Sequence, residues 1–330
     1  MKSRHALVGA ISTTALVVAL ATPGLLGDRF SEALDGLGHA QASWLWAAAL
    51  AFALMHTFSS FAWREALGVC GTRTSRTDAF ARYAVGSGGN AIAPAHMGSA
   101  VRVSLFARLV EGRGAHWQVA GAAGAVGATR QVWFGLLVAA AAAMGAVPVW
   151  PLALVGLVLV LAAGGAWFSR RIDLKARCAH VFDAFRELSR SPRSLAAVAF
   201  CDLVSISCKV AGSLFVLMAF GIDNPLAPAL VVVAAVELAA AMPVTPGNAG
   251  LASAAVAFAL GTQGVASDIG LSVGVAFGAL EMLVAIGVGA AGALTLARPT
   301  LAPIVRVAAA STATAGLTFA FGATVLVGLF

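Results

Sequence analysis

Apolar stretches dominate the chain, separated by short charged clusters, and their lengths fall into two classes. Leu7–Leu26, Trp44–Phe61, Val119–Met144, Leu152–Phe168, Leu195–Phe220, Ile269–Leu296 and a last stretch ending near Phe330 are long enough to predict membrane-crossing helices. Two runs are shorter, Tyr83–Ala95 and Ala229–Met242. At about 1.5 Å per helical residue, neither crosses a hydrocarbon core of about 30 Å. Each stops at a proline-glycine break, Pro94-Ala95-His96-Met97-Gly98 or Pro246-Gly247-Asn248-Ala249-Gly250, and a short apolar run follows, Ser99–Val110 or Leu251–Leu260. Both therefore read as re-entrant hairpins. The competing reading of the first is one distorted span, which would reverse every later orientation. Basic residues on both sides of it, Arg76 and Arg82 before and Arg108 and Arg113 after, favour the hairpin.

These elements predict an all-α polytopic membrane protein of about seven full spans and two broken hairpins in an inverted-topology repeat. An extra N-terminal helix and external loop occupy 1–43, and the first repeat 44–168. A cytoplasmic linker, 169–194, carries an amphipathic piece with Val181, Phe182, Phe185 and Leu188 toward the membrane; the second repeat is 195–330. Asn224, Pro225 and Pro228 read as the outer turn before the second hairpin. Lys2 and Arg4 ahead of the first helix place the N-terminus in the cytoplasm, and that helix reads as an uncleaved span. With one hairpin entering from each side, their tips would meet near the midplane, where a transport site is expected.

Composition agrees. Of 330 residues, 60% are hydrophobic and 11% charged, and mean hydropathy is +0.91. The net charge of +7 sits mainly in loops, so topology explains it better than a nucleic-acid partner. Cys70, Cys178, Cys201 and Cys208 have no metal-ligand spacing and read as small apolar fillers. Phosphate loops, zinc-peptidase motifs and nucleophile elbows are missing. Gly86-Ser87-Gly88-Gly89 is glycine-rich but lacks the lysine of a phosphate loop. No cofactor, no metal and no enzymatic activity is expected.

The candidate chemistry lies at the breaks and in the spans. Arg102, eight residues after Pro94, could line a phosphate site with Arg108, Arg113 and Arg130. Alternatively Arg102 snorkels and Arg130 pairs with an internal acid such as Glu281. Asn90, Ser99, Thr245 and Asn248 offer hydrogen bonds, and the helix starts after Pro94 and Pro246 offer free N–H groups. His96 is a weak metal candidate and a better cap or titrating group. Glu281 could couple protons or hold an arginine, while Asp202 and Lys209, two turns apart, could be structural or part of a path.

Two motifs, Pro94-x-x-x-Gly98-x-x-x-Arg102 and Met242-Pro243-x-Thr245-Pro246-Gly247-x-x-Gly250, give the chain a resemblance to the family of the lysylphosphatidylglycerol synthase transmembrane region. It extends over nearly the whole chain. It implies a lipid translocase of the bacterial cytoplasmic membrane, moving an anionic, polyprenyl-phosphate-linked or related lipid. The implied partners are that phosphate-bearing lipid and a lipid-modifying enzyme. The aminoacyltransferase domain of the two-domain synthases has no counterpart, so synthase activity is not expected. Acidic residues common in the family after each motif are replaced here by Ser99 and, near the second, Ser253. Their loss favours an anionic or neutral headgroup over a cationic one. A small-anion carrier and a membrane scaffold for a glycosyltransferase or lipid-modifying enzyme are the competing readings.

Overall fold

The computed structural model describes residues 40–92, 97–110, 114–147, 156, 185–240 and 249–297. The expected spans Leu7–Leu26, Leu152–Phe168 and the last one lie outside these residues, as do Pro94, His96, Thr245, Pro246, Gly247, Asn248, Arg113, Cys178, Val181 and Phe182. The described residues are helical with no strand. Among the described residues four helices are long and apolar enough to cross a membrane: α1 (Ala42–Val69), α4 (Ala115–Ala143), α5 (Pro192–Ala219) and α8 (Ser267–Ala297). The short helices are α2 (Arg76–Ile92), α3 (Met97–Ala107), α6 (Leu226–Ala240) and α7 (Ala249–Thr262). Leu50, Leu136, Phe200 and Phe258 point outward in the open, as side chains facing hydrocarbon would.

Element ends follow local chemistry. α2 begins at Arg76, earlier than the apolar pattern indicates, because Ser75 caps it. The Asp78 backbone N–H donates to Ser75 Oγ at 3.1 Å, and Thr74 donates to the Asp78 carboxylate. Arg76 and Arg82 are therefore helical rather than in a loop. Pro228 is also helical and buried, inside the first turn of α6, where its missing N–H costs nothing. α1 and α5 close alike. Gly71 and Gly221 take positive φ, and the next residues, Thr72 and Ile222, donate back to Leu67 and Leu217.

Hydrogen bonds fix the directions. The Gln41 backbone N–H reaches the Ala219 carbonyl, and Ser59 meets Ser205, so α1 and α5 are antiparallel. α2 and α3 fold back on one another: Arg82 donates to the Leu105 carbonyl at their base and Asn90 meets Ser99 near their tip. Gln118, entering α4, donates to the Cys70 carbonyl beyond α1, which places the base of this hairpin at one end of the bundle. Gln263, leaving α7, donates to the Ala146 carbonyl beyond α4, which places the second hairpin at the other end. Arg64, Arg73, Arg76, Arg108, Arg186, Arg190 and Arg193 gather at the first end. Asp223 and Asp268 are the charges at the second among the described residues.

Each end has its own apolar core. One gathers Trp63, Leu67, Tyr83, Phe106 and Val119 around the first hairpin; the other gathers Phe52, Val232, Val256, Leu260 and Phe277 around the second. Leu188 is buried in the first core and Phe185 packs on it and on Gly124, so this part of the linker faces protein instead of membrane. Between the cores the buried residues turn polar: His56, Ser59, Asp202, Ser205 and Lys209. These lie about halfway along α1 and α5, helices of 28 residues each. At about 42 Å such a helix exceeds the hydrocarbon thickness, so its midpoint falls at mid-membrane depth.

Candidate functional site

The glycine-rich stretch of α2 makes room in three directions. A side chain at Gly86 would strike Arg102 (2.6 Å to its Cβ, 2.8 Å to its Nε), one at Gly88 would meet Gly289 of α8 at 3.0 Å, and one at Gly89 would meet Gly98 at 3.0 Å. α2 thus touches α3 and α8 backbone to backbone, the close approach that small residues permit between membrane helices. Ser87, between them, receives Arg102 Nη2–H at 2.9 Å and donates to the Tyr83 carbonyl.

Arg102 lies over the Tyr83 ring at 4.0 Å and near the Trp63 ring at 5.6 Å. Two aromatic faces and a hydroxyl hold it, and among the described residues it has no carboxylate partner and its buried Nε has no acceptor. Arg102 is therefore directed inward and does not snorkel. Arg108 is exposed at the end of the hairpin, away from this point.

Arg130 is paired, but with Glu237 of α6 at 3.3 Å, not with Glu281. Lys209 joins the same carboxylate oxygen at 2.9 Å and reaches Glu281 at 3.3 Å. Four helices, α4, α5, α6 and α8, meet in this ionic cluster. Asp202 does not share in it. It is buried on α5, and among the described residues its Oδ2 has no partner, nor do the two ring nitrogens of His56, buried on α1. Tyr83 lies between Arg102 and His56: its ring is 4.0 Å from the guanidinium and 6.3 Å from the imidazole.

The remaining expected ligands have structural duties. Asn90 accepts the Ser99 backbone N–H at 2.9 Å and donates to Ser99 Oγ at 3.0 Å, so it caps α3 from the opposite arm. That N–H is consequently not free for a phosphate. Gly98 has no room for a side chain between Gly86 and Asn90, whereas Gly250 is exposed with open space around it. Asn90→Ala should lower stability by about 1 kcal/mol, the usual value of such a cap. Thermal unfolding in detergent checks this; unchanged stability would mean that Asn90 does not serve as the cap.

Comparison with known sequences decides the family. The lysylphosphatidylglycerol synthase TM region matches residues 6–289. The chain belongs to that family. No curated protein and no solved structure matches it significantly. In this family member, the first motif places Gly98 at the hairpin crossing and Arg102 facing the polar centre. Membership supports a lipid-related membrane function. Sequence reasoning passed over Glu237, His56, Tyr83, Trp63 and Ser87. Glu237 left a signal, a single acid in the valine-rich run of α6, and His56 a fainter one, a lone histidine midway along a span.

Proposed function

We propose that this family member is a lipid flippase of a bacterial cytoplasmic membrane, moving a phosphate-bearing lipid past Arg102 while its tails remain in the bilayer. The observation that carries this reading is the Arg102 guanidinium, held by the Tyr83 ring and the Ser87 hydroxyl and, among the described residues, without a carboxylate partner. A cation without a carboxylate there is costly, and an anionic headgroup is the partner that would relieve it. The inverted repeat belongs to the same reading. Exchanging α1 for α5, α2 for α6, α3 for α7 and α4 for α8 leaves the set of principal packed pairs unchanged, and the two hairpins open to opposite ends. Rocking of one repeat against the other would alternate access. The arginine-rich end is cytoplasmic on the positive-inside rule, which agrees with a cytoplasmic N-terminus. The chain acts without catalysing a covalent step, and a lipid-modifying enzyme is its natural partner.

The test is headgroup accessibility in liposomes holding the purified chain and trace labelled phosphatidylglycerol or undecaprenyl phosphate. Exchange of an anionic lipid should exceed that of empty liposomes and fall by about tenfold or more in Arg102→Ala, the loss expected for a charge-assisted contact. Unchanged exchange in Arg102→Ala would remove the arginine from the path. Absence of exchange with every lipid, with or without a proton gradient, would favour the scaffold reading.

A further inference from the structure

Three residues on one face of α2 make a seat for a single side chain of α3. Tyr83, Gly86 and Ser87 stand at i, i+3 and i+4, and all three meet Arg102. The Tyr83 ring lies against the guanidinium at 4.0 Å, and Gly86 leaves the space that the arginine side chain occupies. Ser87 donates its own proton to the Tyr83 carbonyl at 3.3 Å, so its oxygen presents lone pairs to Arg102 Nη2–H at 2.9 Å. Trp63 of α1 closes the seat at 5.6 Å. Trp63 is itself fixed, stacked on Phe106 at 5.4 Å and edge-on to Tyr83 at 6.2 Å. Tyr83, Ser87 and Trp63 are all buried.

This seat differs from those of the other helical cations. Arg130 and Lys209 are met by Glu237 and Glu281, and Arg82 by Asp78. Among the described residues Arg102 has two ring faces and a neutral hydroxyl, and no carboxylate. The two solutions are not equivalent. A carboxylate stabilises a cation by cancelling its charge, whereas a ring quadrupole stabilises it and leaves the net charge in place. Joining α2 to α3 does not require Arg102 either, because Arg82 already reaches the Leu105 carbonyl and Asn90 reaches Ser99.

We propose that Tyr83 is the positioning residue of Arg102: its ring face, backed by Trp63, holds the guanidinium in place and charged for an anionic ligand. The proposal rests on the translocation reading and deepens it, since a cation neutralised inside the protein attracts a phosphate only weakly. It requires the ring face of Tyr83 and not its hydroxyl, and it requires that no acid stand beside the guanidinium.

Full-length protein with isotope-labelled arginine allows the seat to be read directly by NMR. The Nε–H line of Arg102 is assigned by its loss in Arg102→Lys. A proton above a ring face is shifted upfield, so this line should stand upfield in the unaltered chain and in Tyr83→Phe, and move back downfield in Tyr83→Leu. In liposomes, Tyr83→Leu should lower exchange of the anionic lipid by about tenfold, the scale of a desolvated cation–π contact, and Tyr83→Phe should restore most of it. Ser87→Asp separates positioning from mere support. It sets a carboxylate beside the guanidinium, so the shifted line should remain while exchange drops by about tenfold or more. An unshifted line in the unaltered chain, undiminished exchange in Tyr83→Leu or Ser87→Asp, or Tyr83→Phe as defective as Tyr83→Leu would overturn the proposal while translocation stands. Should Ser87→Asp misfold or lose the line, the Tyr83 pair decides; should Tyr83→Leu misfold, Ser87→Asp and Tyr83→Phe decide. Should no lipid exchange in the unaltered chain, the flippase reading fails, and dodecyl phosphate added to the detergent-solubilised protein decides instead. Movement of the Arg102 line in the unaltered chain and in Tyr83→Phe, but not in Ser87→Asp, supports the seat; an equal response in all three, or none, overturns it.

Discussion

Gly98→Ala should unfold the first hairpin, whereas Gly250→Ala, at the matching place in the second motif, should leave stability unchanged. A methyl at Gly98 would overlap the Gly86 carbonyl oxygen and the Asn90 backbone nitrogen, and would come 2.7 Å from Asn90 Oδ1. Two of these obstacles are backbone, so no rotamer change relieves them. Overpacking commonly costs about 1–3 kcal/mol, and a clash with a rigid helix belongs at or above the top of that range. Separating α2 from α3 also breaks the Asn90–Ser99 cap and pulls Arg102 away from Ser87 and Tyr83. Headgroup exchange should therefore disappear along with the stability. At Gly250 nothing among the described residues lies within contact of an added methyl. Thermal unfolding in detergent of both variants settles the matter: equal losses, or no loss at Gly98, would contradict the close crossing of the two arms.

That contrast marks where sequence reading reaches its limit. Helix length and apolarity are local properties, so the long helices α1, α4, α5 and α8 and the short arms of the hairpins were legible, although α1 runs on from Phe61 to Val69 and α2 starts at Arg76 instead of Tyr83. End chemistry was also local, yet Pro228 was read as turn because the apolar pattern starts after it. Charges in apolar runs were legible as exceptions, and Arg130, Lys209, Asp202 and Glu281 do fall near the middle of their long helices. Their partners were not. Arg130 and Glu237 are separated by 107 residues, and only the packing of α4 against α6 brings them together. The two P-x-x-x-G motifs look equivalent as strings. One glycine is wedged between backbones and the other is open, and no spacing rule separates those cases. Similarly, Gly86, Gly88 and Gly89 have no evident purpose until α3 and α8 are set against them.

Glu237 is the second large effect. Glu237→Leu removes the carboxylate shared by two cations, leaving Arg130 without its ion-pair partner and Lys209 with Glu281. Lys209 decides the magnitude, because its side chain is only 6% exposed and water cannot compensate it, while Arg130, at 26%, recovers part of its hydration. Breaking a buried pair from one side costs about 3–5 kcal/mol; retention of Glu281 places this variant near the lower bound. Removing both members is a different case, since an apolar replacement of a whole buried pair is often neutral or stabilising. Glu237→Leu combined with Lys209→Met should therefore be more stable than Glu237→Leu alone, although it has lost more polar contacts. Glu281 then stands unpaired, so adding Glu281→Gln should recover more. The double-mutant cycle, measured by unfolding in detergent, separates a coupled cluster from independent charges. Additive losses would mean that Lys209 does not depend on Glu237. Strong coupling would make the cluster the clamp that holds α6, the inner arm of the second hairpin, to α4, α5 and α8.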